Sequence, residues 1–84
     1  MSGHTPGPWF TYFSERGIWT VQEPRGWIAE LTPDRPNQEA NARLIAAAPD
    51  LLEAAKAMTE PAGEIAYRER WMALKAAIAK AEGR

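Results

Sequence analysis

The stretch Glu39-Ala40-Asn41-Ala42-Arg43-Leu44-Ile45-Ala46-Ala47-Ala48-Pro49-Asp50-Leu51-Leu52-Glu53-Ala54 decides how the chain is read. Ala40, Leu44, Ile45 and Ala48 recur at three- and four-residue spacing, which places them on one side of a helix. Pro49 disfavours the α region at Ala48, so the helix is expected to kink or break there. Pro49-Asp50 can then open a second helix, with the carboxylate near the positive end of its dipole. Upstream the chain is aromatic and punctuated by turns; downstream every pattern is helical. The fold class that follows is α+β: a three-stranded antiparallel β-meander followed by two or three helices packed on one sheet face.

Working upstream, Pro6, Gly7 and Pro8 prevent residues 1–8 from propagating a helix or a central strand, and they are read as an ordered arm. Trp9 to Phe13 is β-branched or aromatic and suits a pleated surface. Ser14-Glu15-Arg16-Gly17 supplies a turn. Ile18 to Gln22 forms a second strand with Trp19 and Val21 on one face. Glu23-Pro24-Arg25-Gly26 carries the residues of a type I turn, and Trp27 to Leu31 is a third strand. Connections this short imply antiparallel pairing, because parallel strands need long crossovers. Thr32-Pro33-Asp34-Arg35-Pro36 links the meander to the helices, with Pro36 suited to a first helical turn.

Downstream, Thr59-Glu60-Pro61-Ala62-Gly63 breaks the chain again. Tyr67, Trp71, Leu74, Ile78 and Ala81 then recur at +4, +3, +4, +3, the cleanest amphipathic pattern present. A second row, Ile65, Met72, Ala76 and Ala79, lies beside it. Either both rows are core, or one edge meets another chain. The expected organisation is one domain over 1–84, with an arm over 1–8, a meander over 9–32, a kinked helix or helix pair over 37–58 and a C-terminal helix over 63–82.

At 84 residues the chain is small enough that folding buries only about 60–65% of the unfolded surface. Cysteine is absent and histidine occurs once, which removes disulfides and nearly removes metals as stabilisers, leaving association as the open route. A homo-oligomer is therefore expected. Ten basic and eleven acidic residues give a net charge of −1, so a general electrostatic grip on nucleic acid is not indicated. No apolar run approaches a membrane span and no signal-like start is seen. A soluble protein of the cytoplasm is expected.

Few residues are suited to chemistry. His4 alone cannot make a structural zinc site, and no serine or acidic partner at a telling spacing suggests a triad. The acidic residues Glu23, Glu30, Glu39, Asp50 and Glu53 form no evident catalytic pair, and the glycines form no phosphate loop. No catalytic residue, metal or cofactor is expected, and the protein is read as not an enzyme.

Binding is better supplied. Trp9, Trp19, Trp27, Phe10, Tyr12 and Phe13 cannot all face one side of a three-stranded sheet, so some are expected to be exposed, as interface anchors or as platforms for a nucleobase. Arg16, Arg25, Arg35 and Arg43 are candidates to clamp phosphate. Asn41 shares the face of Leu44 and Ile45; an amide turned toward a core needs partners, so it either pins the N-terminal arm or meets a ligand. Trp9, Trp19, Trp27, Tyr12, Arg16, Arg43 and Asn41 make up the candidate binding set.

Thr5-Pro6-Gly7-Pro8-Trp9 and Ala40-Asn41-Ala42-Arg43-Leu44-Ile45-Ala46-Ala47-Ala48-Pro49-Asp50-Leu51-Leu52, with Ile28-Ala29 ending the β-region, resemble a group of small proteins of tailed bacteriophages and prophages. The resemblance covers most of residues 4–58 and implies a phage-encoded accessory protein in the bacterial cytoplasm. By analogy it implies a non-catalytic protein that binds and inhibits a host defence factor stoichiometrically. Two alternatives stand beside this: an oligomeric sponge for a small nucleotide signal, and a phage structural or assembly protein.

Overall fold

Two tight turns fold the first third back on itself twice, and three helices follow. A computed structural model describes residues 3–32 and 36–84. Pro33, Asp34 and Arg35, which carry most of the expected strand-to-helix connection and one of the candidate arginines, lie outside the described residues. The elements are β1 (Phe10–Phe13), β2 (Trp19–Glu23), β3 (Gly26–Glu30), α1 (Gln38–Ala46), α2 (Ala48–Met58) and α3 (Glu64–Ala81). The sheet is antiparallel in the order β1-β2-β3, so the expected α+β architecture is present.

Strand limits move by one residue from those expected. Trp9 leaves the ladder, its indole N–H donating to the Thr5 carbonyl over 3.2 Å. The second turn needs only Pro24 and Arg25, because Glu23 already pairs with Gly26. In β1–β2 Thr11 faces Val21 and Phe13 faces Trp19. In β2–β3 the register shifts between Val21, which faces Ala29, and Gln22, which faces Trp27. Ile28 is the extra residue of this bulge, and the local bend it introduces lets it pack against the core beside Ala29.

Helix α1 lies on the inner sheet face. Its contact surface is small: Ala42 and Ala46 meet Val21, with Trp9, Trp19, Ile28, Leu31 and Ile45 around them. Alanine lets the helix approach closely, and the tryptophans fill the margin. The Trp19 amide donates to Gln38 Oε1 over 2.9 Å, fixing the start of α1 against β2. That start departs from expectation. The helix begins at Gln38 after Asn37, which takes φ 63, a left-handed conformation that asparagine tolerates better than most residues. Pro36 therefore precedes the cap and is not in the first turn.

The apolar stretch breaks at Ala47, one residue before the expected Ala48, and Ala48 opens α2 with Pro49 in its first turn, where the missing N–H needs no partner. Ala47 ends α1 and caps α2, its amide donating back to Arg43 O and its carbonyl accepting from Leu51. The arm closes over this junction: Gly7 lies so near Pro49 that an added Cβ would sit 3.1 Å from the proline Cβ.

Helices α2 and α3 form a hairpin behind α1. Arg70 donates to the carbonyls of Ala57 (2.9 Å) and Glu60 (2.7 Å), tying α3 to the end of α2 and the turn that follows it. Buried positions along this seam are again alanine, Ala54 and Ala77. The reading of both α3 rows as core is corrected: Ile65, Tyr67, Trp71, Met72 and Ile78 are all at least 40% exposed. An alanine seam suffices to pair α3 with α2, which leaves the large side chains outside. The molecule is elongated, 49 × 26 × 17 Å.

Candidate functional site

Strand alternation divides the sheet into two unlike faces. Thr11, Phe13, Trp19, Val21 and Ala29 turn toward α1, where Phe13 and Trp19 stack with ring centroids 5.0 Å apart. Opposite them, the register places Phe10, Gln22 and Trp27 in one row and Tyr12, Thr20 and Glu30 in the next. No described helix packs on this outer face. Phe10, Tyr12 and Trp27 are 44%, 48% and 64% exposed.

Polar bonds hold the outer face rigid. Thr20, almost fully buried among the larger side chains, donates its hydroxyl to Tyr12 O over 3.0 Å and accepts from Gln22 Nε2 over 3.1 Å. Arg16 reaches from the β1–β2 turn to Glu30 Oε1 at 2.6 Å. Arg25, exposed in the β2–β3 turn, lies two residues before Trp27. The result is an aromatic surface on a braced sheet with cations at two margins. Such a surface can bury apolar area against a partner and orient it by charge.

Of the candidate set, Tyr12, Trp27 and Arg16 come together here. Trp9 and Trp19 do not: both pack against the core on the inner side, because their neighbours Phe10 and Thr20 take the outer face. Asn41 is exposed and borders a small groove with Leu31, Thr32 and Pro36, away from the arm, which it was expected either to pin or to leave for a ligand contact. The arm is held instead by Trp9, Pro49 and Lys80. Phe10 belongs to the aromatic surface although it was outside the candidate set; its two-residue spacing from Tyr12 was the available signal.

Arg43 stands elsewhere, ion-paired with Glu39. It borders a groove of about 640 Å³ where Trp9, Phe10, Lys80 and Arg84 also converge. The end of α3 builds this groove. Gly83 takes φ 75 and donates to Lys80 O, while Arg84 donates to Ala79 O, the paired bonds of a Schellman cap. The cap delivers Arg84 beside Arg43. Lys80 and Arg84 were not foreseen, since no local pattern relates them to a residue forty positions earlier. The cations are partly neutralised: Lys80 pairs with Asp50 at 2.7 Å and Arg84 with Glu82.

Among the described residues no group of three or more histidine, cysteine or acidic side chains is placed to hold a metal ion, and no helix is long and apolar enough to cross a membrane. A protein-family model described as Salmonella phage P22 protein Y8K6 matches residues 1–84. No curated protein and no solved structure matches the chain.

Proposed function

The chain belongs to the family of Salmonella phage P22 protein Y8K6, and from that premise we propose that it is a small accessory protein that acts by binding, without a chemical step, in the cytoplasm of the bacterial host. Its partner is a host protein, a defence factor held and inhibited in stoichiometric complex. The observation that carries this reading is the outer sheet face, where Trp27 stands 64% exposed next to Phe10 and Tyr12. Aromatic side chains on a rigid scaffold are the residues most often found as interface hot spots, and a sheet braced at Thr20 and Glu30 loses little conformational freedom when it docks. The test is affinity capture from infected cells with the full chain and with Phe10→Ala, Tyr12→Ala and Trp27→Ala variants. A host protein retained by the parent chain and lost by folded variants supports the reading; equal capture by all of them contradicts it.

A second reading rests on the groove beside Trp9. An indole, Trp9, and the cations Arg43, Lys80 and Arg84 are the components that stack a base and hold phosphate, and the reading is a sponge for a small nucleotide signal. It ranks second because Glu39, Asp50 and Glu82 already occupy those cations. Thermal-shift titration with cyclic and ADP-ribose-type nucleotides separates the two. Stabilisation that Arg43→Ala abolishes supports the sponge; absence of any shift removes it.

A further inference from the structure

We propose that the outward face of α3 is the contact between two copies of this chain, joined about a two-fold axis. The surface itself calls for a cover. A folded monomer of 9.3 kDa is expected to expose about 5,000 Å², whereas this chain exposes 6110 Å². The excess is about 1,100 Å², against the roughly 800 Å² that each partner contributes to a stable interface. Shape agrees: the radius of gyration is 14.7 Å, and a compact chain of this length has about 12 Å.

Part of the exposed apolar surface forms a continuous stripe along α3. Tyr67, Trp71 and Ile78 are 45%, 55% and 40% exposed, and half-buried Leu74 completes the row. Charged neighbours, Arg68 and Lys75, fall beside the row and not within it. Buried alanines face the hairpin seam, so the stripe is left to a partner.

The spacing also fits a second copy as the occupant. Tyr67 and Ile78, and likewise Trp71 and Leu74, are placed symmetrically about the midpoint between Met72 and Ala73. An antiparallel pairing of two α3 helices about that point sets Tyr67 against Ile78 of the other copy and Trp71 against its Leu74. This is the self-complementary pattern that a two-fold interface requires, residue i meeting j while j meets i. At a rise of 1.5 Å per residue the 18-residue helix offers about 27 Å of contact line. The joined α2–α3 hairpins then form a four-helix arrangement, and both outer sheet faces remain open.

Sedimentation velocity and light scattering on the full chain at tens of micromolar test the inference. The expected mass is twice 9.3 kDa. Trp71→Glu is expected to weaken association by about 30-fold or more, the loss typical of a hot-spot residue, with the far-ultraviolet circular dichroism of the parent; Trp27→Ala is expected to stay dimeric. A second measurement fixes the register: Trp71→Cys and Leu74→Cys proteins, mixed and oxidised, should cross-link to each other in preference to themselves. A parent chain that is monomeric throughout, or a folded Trp71→Glu protein that dimerises like the parent, overturns the proposal. Cross-linking of Trp71→Cys mainly with itself overturns the antiparallel register. None of these outcomes depends on what the sheet binds.

Discussion

Lys80 in the last turn of α3 donates to the carboxylate of Asp50 in the first turn of α2 over 2.7 Å, and the same ammonium donates to the Trp9 carbonyl over 3.2 Å. One side chain thus joins the two ends of the helical hairpin to the point where the arm enters the sheet. It explains how a domain with few large buried residues holds three parts together.

Replacing Lys80 by Met keeps the stem and removes both bonds. Both partners are partly exposed, so solvent screens the pair, and the expected loss is about 0.5–1 kcal/mol. Urea denaturation of Lys80→Met, Asp50→Asn and the double variant should show coupling, the double variant losing less than the two single losses together. Strict additivity would mean that the contact carries no energy.

Gly83 is tied to its position twice over. Its φ of 75 suits glycine, and a Cβ there would come within 2.8 Å of the Arg43 guanidinium. Gly83→Ala is expected to lower stability by about 1–2 kcal/mol. Gly26, where an added Cβ meets nothing within 4 Å, is the control: its alanine variant should differ from the parent by less than about 0.5 kcal/mol. Thermal melts of the two proteins side by side measure the contrast.

The contact of α1 with the sheet depends on small residues. Ala42 is fully buried against Val21, and Ala42→Leu has no space to enter. Overpacking of this kind typically costs about 1–3 kcal/mol. Leu44→Ala on the same helix removes a side chain that is 56% exposed and should cost far less. Equal losses would place Ala42 outside the core.

These contrasts mark what the sequence could disclose. Pro24 and Gly26 announced the second turn, Pro49 the helix break, and the alternation of Trp19 and Val21 the inner face, because each follows from local backbone chemistry. The stripe of Tyr67, Trp71 and Ile78 was equally plain as a periodicity. Whether it was core depended on Ala54 and Ala77 closing the hairpin without it, which is a tertiary matter. Composition cannot separate an indole that packs at the margin of a core, as Trp9 and Trp19 do, from one that stands free, as Trp27 does. The meeting of Arg43 with Lys80 and Arg84 required the path of the whole chain.

The central claim is that the exposed aromatics of the sheet grip a protein partner, and Trp27 tests it most directly. Being 64% exposed, it can be replaced by alanine at little expense to folding. Calorimetric titration of the captured host protein with parent chain and with Trp27→Ala, both verified as folded, is expected to show affinity falling by about 30-fold or more. Affinity within twofold of the parent for Trp27→Ala, and likewise for Phe10→Ala and Tyr12→Ala, would contradict the account.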